Sequence, residues 1–128
     1  MPGTHLFEYA VIRIVPRVER EEFVNTGVIL YCPKVKFLRC IIDLDEARVH
    51  AFAPQVDVAA VRENLHALES ICHGIASGGV IASLEPASRF RWLTATRSTI
   101  IQSSKVHPGL CAEPSAALQK LYEQLVKM

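Results

Sequence analysis

Hydrophobic positions along the chain follow two rhythms. Leu6 to Val15 is a nearly continuous run rich in β-branched and aromatic residues, stopped by Pro16, and reads as a central strand. Val24 to Cys32 is a second run of the same kind, punctuated by Pro33 and Lys34 before a third at Lys36 to Asp43. So short a connection predicts an antiparallel hairpin. With the turn centred on Lys34 and Val35, Cys40 falls opposite Ile29 and Cys32 opposite Phe37. That register is wrong for a Cys32–Cys40 disulfide. Ser98 to Val106 reads as a fourth strand, broken by Pro108 and Gly109.

Elsewhere the spacing is helical. Asp45 to Phe52 predicts a short helix closed by Pro54. Asp57 is a good N-cap for a longer one, with Val58, Val61, Leu65, Leu68, Ile71, Cys72 and Ile75 on one face. Gly74, Gly78 and Gly79 end it and begin a loop. Pro86 to Ala95 fits two descriptions, because Pro86 suits a helix N1 position while R-F-R-W alternates as a strand would. Pro114 opens a last helix whose stripe is Leu118, Leu121, Tyr122, Leu125 and Val126. The order predicts a single α+β domain over residues 1–128: an antiparallel sheet of about four strands with helices packed on one face.

Composition supports a packed core, since 50% of residues are hydrophobic and 21% charged. A net charge of +1 gives no global attraction to nucleic acid or acidic membranes, so neither is an expected partner. The N-terminus has no basic region followed by a long apolar run, and no stretch approaches the roughly 18 apolar residues of a membrane span. A cytoplasmic protein is expected. Cys32, Cys40, Cys72 and Cys111 form no C-x-x-C pair and read as small buried hydrophobes in a reducing compartment. No metal set and no cofactor is assigned.

What electrostatic chemistry there is must be local. Pro86 to Ala112 contains no Asp or Glu, yet holds Arg89, Arg91, Arg97, Lys105 and His107 among hydroxyls and Gln102. Guanidinium forks and hydroxyl donors match phosphate or carboxylate oxygens, so this segment suits an anionic ligand. Arg97 and Thr99 project together at the expected strand start, beside the Ser98 amide. Phe90 and Trp92 read as core rather than as a stacking platform for bases. A second polar cluster, R-E-E-F-V-N-T-G from Arg20 to Gly27, separates two apolar strands. Arg20 and Glu22 can pair there, Asn25 can bond the returning backbone, and the three can form one wall of a site. On the long helix Arg62, His66, Glu69 and His73 share a stripe, read as a solvated face because the spacing matches no zinc motif. The candidate ligand-binding residues are therefore Arg20, Glu22, Asn25, Arg97, Thr99, Gln102 and His107.

Three motifs, E-Y-A-V-I-R-I-V-P, R-E-E-F-V-N-T-G-V-I-L and R-F-R-W-L-T-A-T-R-S-T-I-I-Q-S-S-K-V-H-P-G-L, together resemble the bacterial domain-of-unknown-function family numbered 3037. The likeness runs from Tyr9 to Val126. Thr26 stands where members often have Val, and Thr96 where they often have Pro. The resemblance implies a small bacterial cytoplasmic protein and no mechanism. Similar members are frequently encoded beside a kinase-like protein of the HipA type, which implies a protein partner. The leading expectation is a non-enzymatic accessory module for a protein partner or an anionic ligand. The alternative is an enzyme on a phosphorylated or nucleotide substrate, with Glu22 or His107 as general base and Arg97 stabilising negative charge. Convergence of Glu22, Arg97 and His107 in one pocket separates the two.

Overall fold

The computed structural model describes residues 4–95, 97 and 99–127. Strand β1 (His5–Ile14) occupies the centre of an antiparallel sheet. On one side it pairs with β2 (Val24–Cys32), which pairs in turn with β3 (Phe37–Ile42). On the other side two short strands share its length: β4 (Ile101–Ser103) against Ile12–Ile14 and β5 (His107–Cys111) against His5–Tyr9. The β2–β3 connection is a 3-10 turn, Pro33–Val35, closed by Lys36 at φ 53 with its amide donating to the Pro33 carbonyl. Ile29 opposes Cys40 and Cys32 opposes Phe37, as the turn position requires, and all four cysteines are free thiols.

The fourth strand departs from the sequence expectation. The expected Ser98–Val106 strand is reduced to Ile101–Ser103, and Ser98 lies outside the described residues. At Ser104 the chain bends, and the Ser104 hydroxyl accepts from the Val11 amide at 2.8 Å, completing the ladder with a side chain. Pro108 and Gly109, read from sequence as breakers, lie inside β5. Proline is tolerated there because β5 is an edge strand. Gly109 is required opposite Phe7, where any Cβ would overlap the aromatic ring.

Helices α1 (Glu46–Phe52) and α2 (Val58–Cys72) start at Asp45 and Asp57, whose carboxylates accept from the Arg48 and Ala60 amides. Helix α3 (Pro86–Leu93) resolves the ambiguous segment in favour of the proline at N1, and α4 (Pro114–Leu125) begins in the same way. The α+β class holds, but the helices are not confined to one face. Ala10, Ile12, Ile14, Ile29, Leu38 and Cys40 pack under α1, α2 and α3. Phe7, Val28, Leu30 and Cys32 face the other way and are covered by Leu118 and Val126 at α4. Nearly continuous apolar character in β1 and β2 is what a sheet buried on both faces demands.

A β-bulge lies opposite the Ile12–Arg13 step of β1. Ile12 opposes Gly27, yet Arg13 opposes Asn25, so Thr26 is the extra residue. Its carbonyl accepts from the Asp43 amide at 2.7 Å and its hydroxyl donates to the Asp43 carbonyl at 3.2 Å. Without that insertion Asn25 would face Ile14 and the core under α1–α3. The bulge turns it to the face of Arg13.

Candidate functional site

Because directly opposed residues of an antiparallel pair point to one face, the bulge builds a row across three strands: Asn25 on β2, Arg13 on β1 and Gln102 on β4. Two of these were singled out from the sequence. Arg13 was not, since it sits in an apolar strand with nothing around it to mark it. The Arg13 guanidinium lies 4.0 Å from the centre of the Phe23 ring, and that ring is 43% exposed. Its Nε is buried without a hydrogen-bond partner among the described residues. None of the ion pairs among those residues involves it. Asn25 donates through Nδ2 to the Leu125 carbonyl at 3.0 Å, tying α4 to the sheet, while its buried Oδ1 is likewise unpartnered. Gln102 donates to the Thr99 carbonyl at 2.8 Å. Arg13, Val18, Glu21, Phe23 and Gln102 line an open cleft of about 270 Å³. Glu21 at its rim has φ 55, a conformation stabilised by the amide bond to Val18.

The remaining predicted residues lie elsewhere. Arg20 and Glu22 are exposed and pair with each other at 2.5 Å, at a separate cleft of about 330 Å³ shared with Phe52 and Gln55. The Glu22 carboxylate holds Arg20 above its ordinary value, and Arg17 is similarly paired with Glu19, so the loop is self-neutralised. Arg97 donates to the Trp92 and Leu93 carbonyls at the C-terminus of α3 and stacks over the Trp92 ring at 4.3 Å. It therefore caps a helix. With Thr99, Leu68, Ile71 and Ile101 it lines a mostly apolar groove of about 310 Å³ between α2, α3 and β4. Thr99 bonds the Ile101 carbonyl. Phe90 is buried as expected; Trp92 is 40% exposed, but a base would have to displace Arg97 from one ring face. His107 is exposed on β5, its ring 5.3 Å from Tyr9. It pairs with Tyr9 while Gln102 pairs with Arg13, a separation of about 13 Å along β1. Glu22, Arg97 and His107 share no pocket lined in the structure.

A third grouping escaped sequence reasoning altogether. Cys40 on β3, Cys72 at the end of α2 and His73 beyond it place their donor atoms within 4.8 Å of one another. His73 was assigned to the solvated stripe with His66, but it is half-buried and turned toward β3, where the Cys40 amide donates to its Nε2 at 3.3 Å. The neighbouring Cys72 thiol, reinforced by burial, holds the Cys40 thiol far above its ordinary value. The Cys40 contact raises His73, yet a protonated thiol offers no negative charge and the amide already uses the Nε2 lone pair. The neutral ring is the form this geometry holds. Contact across 33 residues leaves no spacing signature, so no sequence signal marked this cluster.

An antiparallel sheet covered by helices on both faces, with a bulge-built polar row at one end, defines an α+β domain. The model of the family described as "Protein of unknown function (DUF3037)" matches residues 9–126, and the chain belongs to that family. No curated protein and no solved structure matches it. No helix among the described residues is long and apolar enough to cross a membrane.

Proposed function

We propose that this protein is a non-enzymatic binding module that takes an oxyanion, a carboxylate or phosphate borne by a partner protein, at Arg13. One observation carries the reading: a half-buried guanidinium with no anionic partner among the described residues, held against Phe23 and flanked in register by two side-chain amides. An unpaired cation partly removed from water gains more from a fork-to-carboxylate contact than an exposed one. The arginines singled out from sequence are engaged already, Arg20 by a carboxylate and Arg97 by backbone carbonyls. A shallow, open cleft suits a side chain presented by a macromolecule better than an enclosed metabolite. The HipA-type kinase-like protein suggested by the family resemblance is the first partner to test.

The test joins a thermal-shift screen against inorganic phosphate, dicarboxylates and nucleotides to a calorimetric titration of that kinase-like protein. Each is run on the native chain and on Arg13→Gln. A ligand at about 100 times its Kd stabilises by roughly 2.7 kcal/mol, easily read as a raised Tm. Signals abolished in Arg13→Gln support the site, whereas signals that survive it overturn the assignment. A flat small-ion screen with Arg13-dependent protein binding places the oxyanion on the partner.

A further inference from the structure

We propose that Cys40, Cys72 and His73 form a binding site for one zinc ion, with Cys40 Sγ, Cys72 Sγ and His73 Nε2 as its protein ligands. The geometry is already close to what the ion requires. Zinc bonds of about 2.3 Å to sulfur and 2.0–2.1 Å to nitrogen put tetrahedral S and N ligands about 3.6 Å apart. Cys40 Sγ and His73 Nε2 are 3.8 Å apart, and all three donor atoms fall within 4.8 Å.

The donor set selects the metal class. Two sulfurs and an imidazole are soft to borderline ligands, which suit zinc and disfavour magnesium or calcium. Two thiolates and a neutral imidazole around Zn²⁺ make a centre of zero net charge, which can be buried at far lower cost than a lone ion. Charge balance matters here because Cys72 is fully buried and Cys40 nearly so, both within the core under α2. His73 is half-buried and supplies the open side, where a water completes the four-coordinate set. The Cys40 amide bond to Nε2, long at 3.3 Å, is the contact the ion displaces. The backbone on both sides is fixed: Cys40 pairs with Ile29 in the sheet, and His73 caps α2 through its amide to Glu69.

The experiment uses the full chain, purified reduced, loaded with Zn²⁺ or Co²⁺ and desalted. Metal content is measured by atomic emission and the cobalt form by absorption. The expected result is one equivalent bound, with sulfur-to-cobalt charge-transfer bands in the cobalt form. His73→Ala, at a half-exposed position that leaves the core intact, weakens affinity at least about tenfold. His66→Ala and Cys111→Ser bind as the native chain does. Absence of stoichiometric metal overturns the site, as does undiminished binding by His73→Ala. Loss of two thiols with no metal bound also overturns it, by showing a Cys40–Cys72 disulfide instead.

Discussion

Arg13 and Arg97 stand over aromatic rings at nearly the same height, 4.0 Å above Phe23 and 4.3 Å above Trp92. Their circumstances otherwise differ. Arg97 follows the end of α3 and donates to the Trp92 and Leu93 carbonyls, where a cation stabilises the negative end of the helix. Arg13 is held in the central strand, and its Nε is buried with no acceptor among the described residues. The lesson is that charge in a sequence says nothing of what engages it. The acid-free segment looked available because no carboxylate competed for its arginines. Backbone carbonyls did so instead: Arg89 donates to the Leu84 carbonyl as Arg97 does to those of α3.

Mutations sharpen this contrast. The largest effect is expected in the core beneath α3, the helix that Arg97 caps. Phe90 is 3% exposed and stacks on Tyr31, so Phe90→Ala costs about 3–5 kcal/mol by chemical denaturation. The ring beneath Arg13 is by contrast exposed, and Phe23→Ala costs less than about 1 kcal/mol. Equal losses at the two rings would show that Phe23 is a core residue and Arg13 a structural one.

Arg97→Ala is next, at about 1–2 kcal/mol, from the loss of two carbonyl bonds and the indole contact. Arg13→Ala removes an unsatisfied buried nitrogen and changes stability by less than about 1 kcal/mol, while abolishing partner binding. Reversal of that pattern, with binding lost at Arg97 and stability lost at Arg13, would interchange their roles. Asn25→Ala costs about 1 kcal/mol through the lost bond to Leu125, and weakens binding because it removes one amide beside Arg13. Native-state alkylation gives a chemical readout: Cys111 reacts before Cys40, Cys72 and Cys32, all buried. The smallest effect is at the exposed Arg20–Glu22 pair. Arg20→Ala leaves the melting temperature unchanged within error, and a clear drop would show that the pair holds the loop.

Periodicity, capping and punctuation determined a good deal. Leu6–Val15, Val24–Cys32 and the final helix were legible because long apolar runs and stripes report burial directly, and Asp45 and Asp57 because N-caps act within one turn. Even the Ile29–Cys40 register followed from the short turn. Tertiary structure decided the rest. Pro108 and Gly109 became strand residues because β5 is an edge lying against Phe7. α4 crossed to the second face because β1 and β2 offer apolar side chains on both. One extra residue, Thr26, moved Asn25 to the side of Arg13, an outcome no alternation pattern contains. Cys40 met His73 through the packing of α2 on the sheet. Local signals reach as far as a turn or a hairpin, whereas Arg13 meets partners 12 and 89 positions away and Cys40 meets Cys72 and His73 across 32 and 33, which only packing brings together.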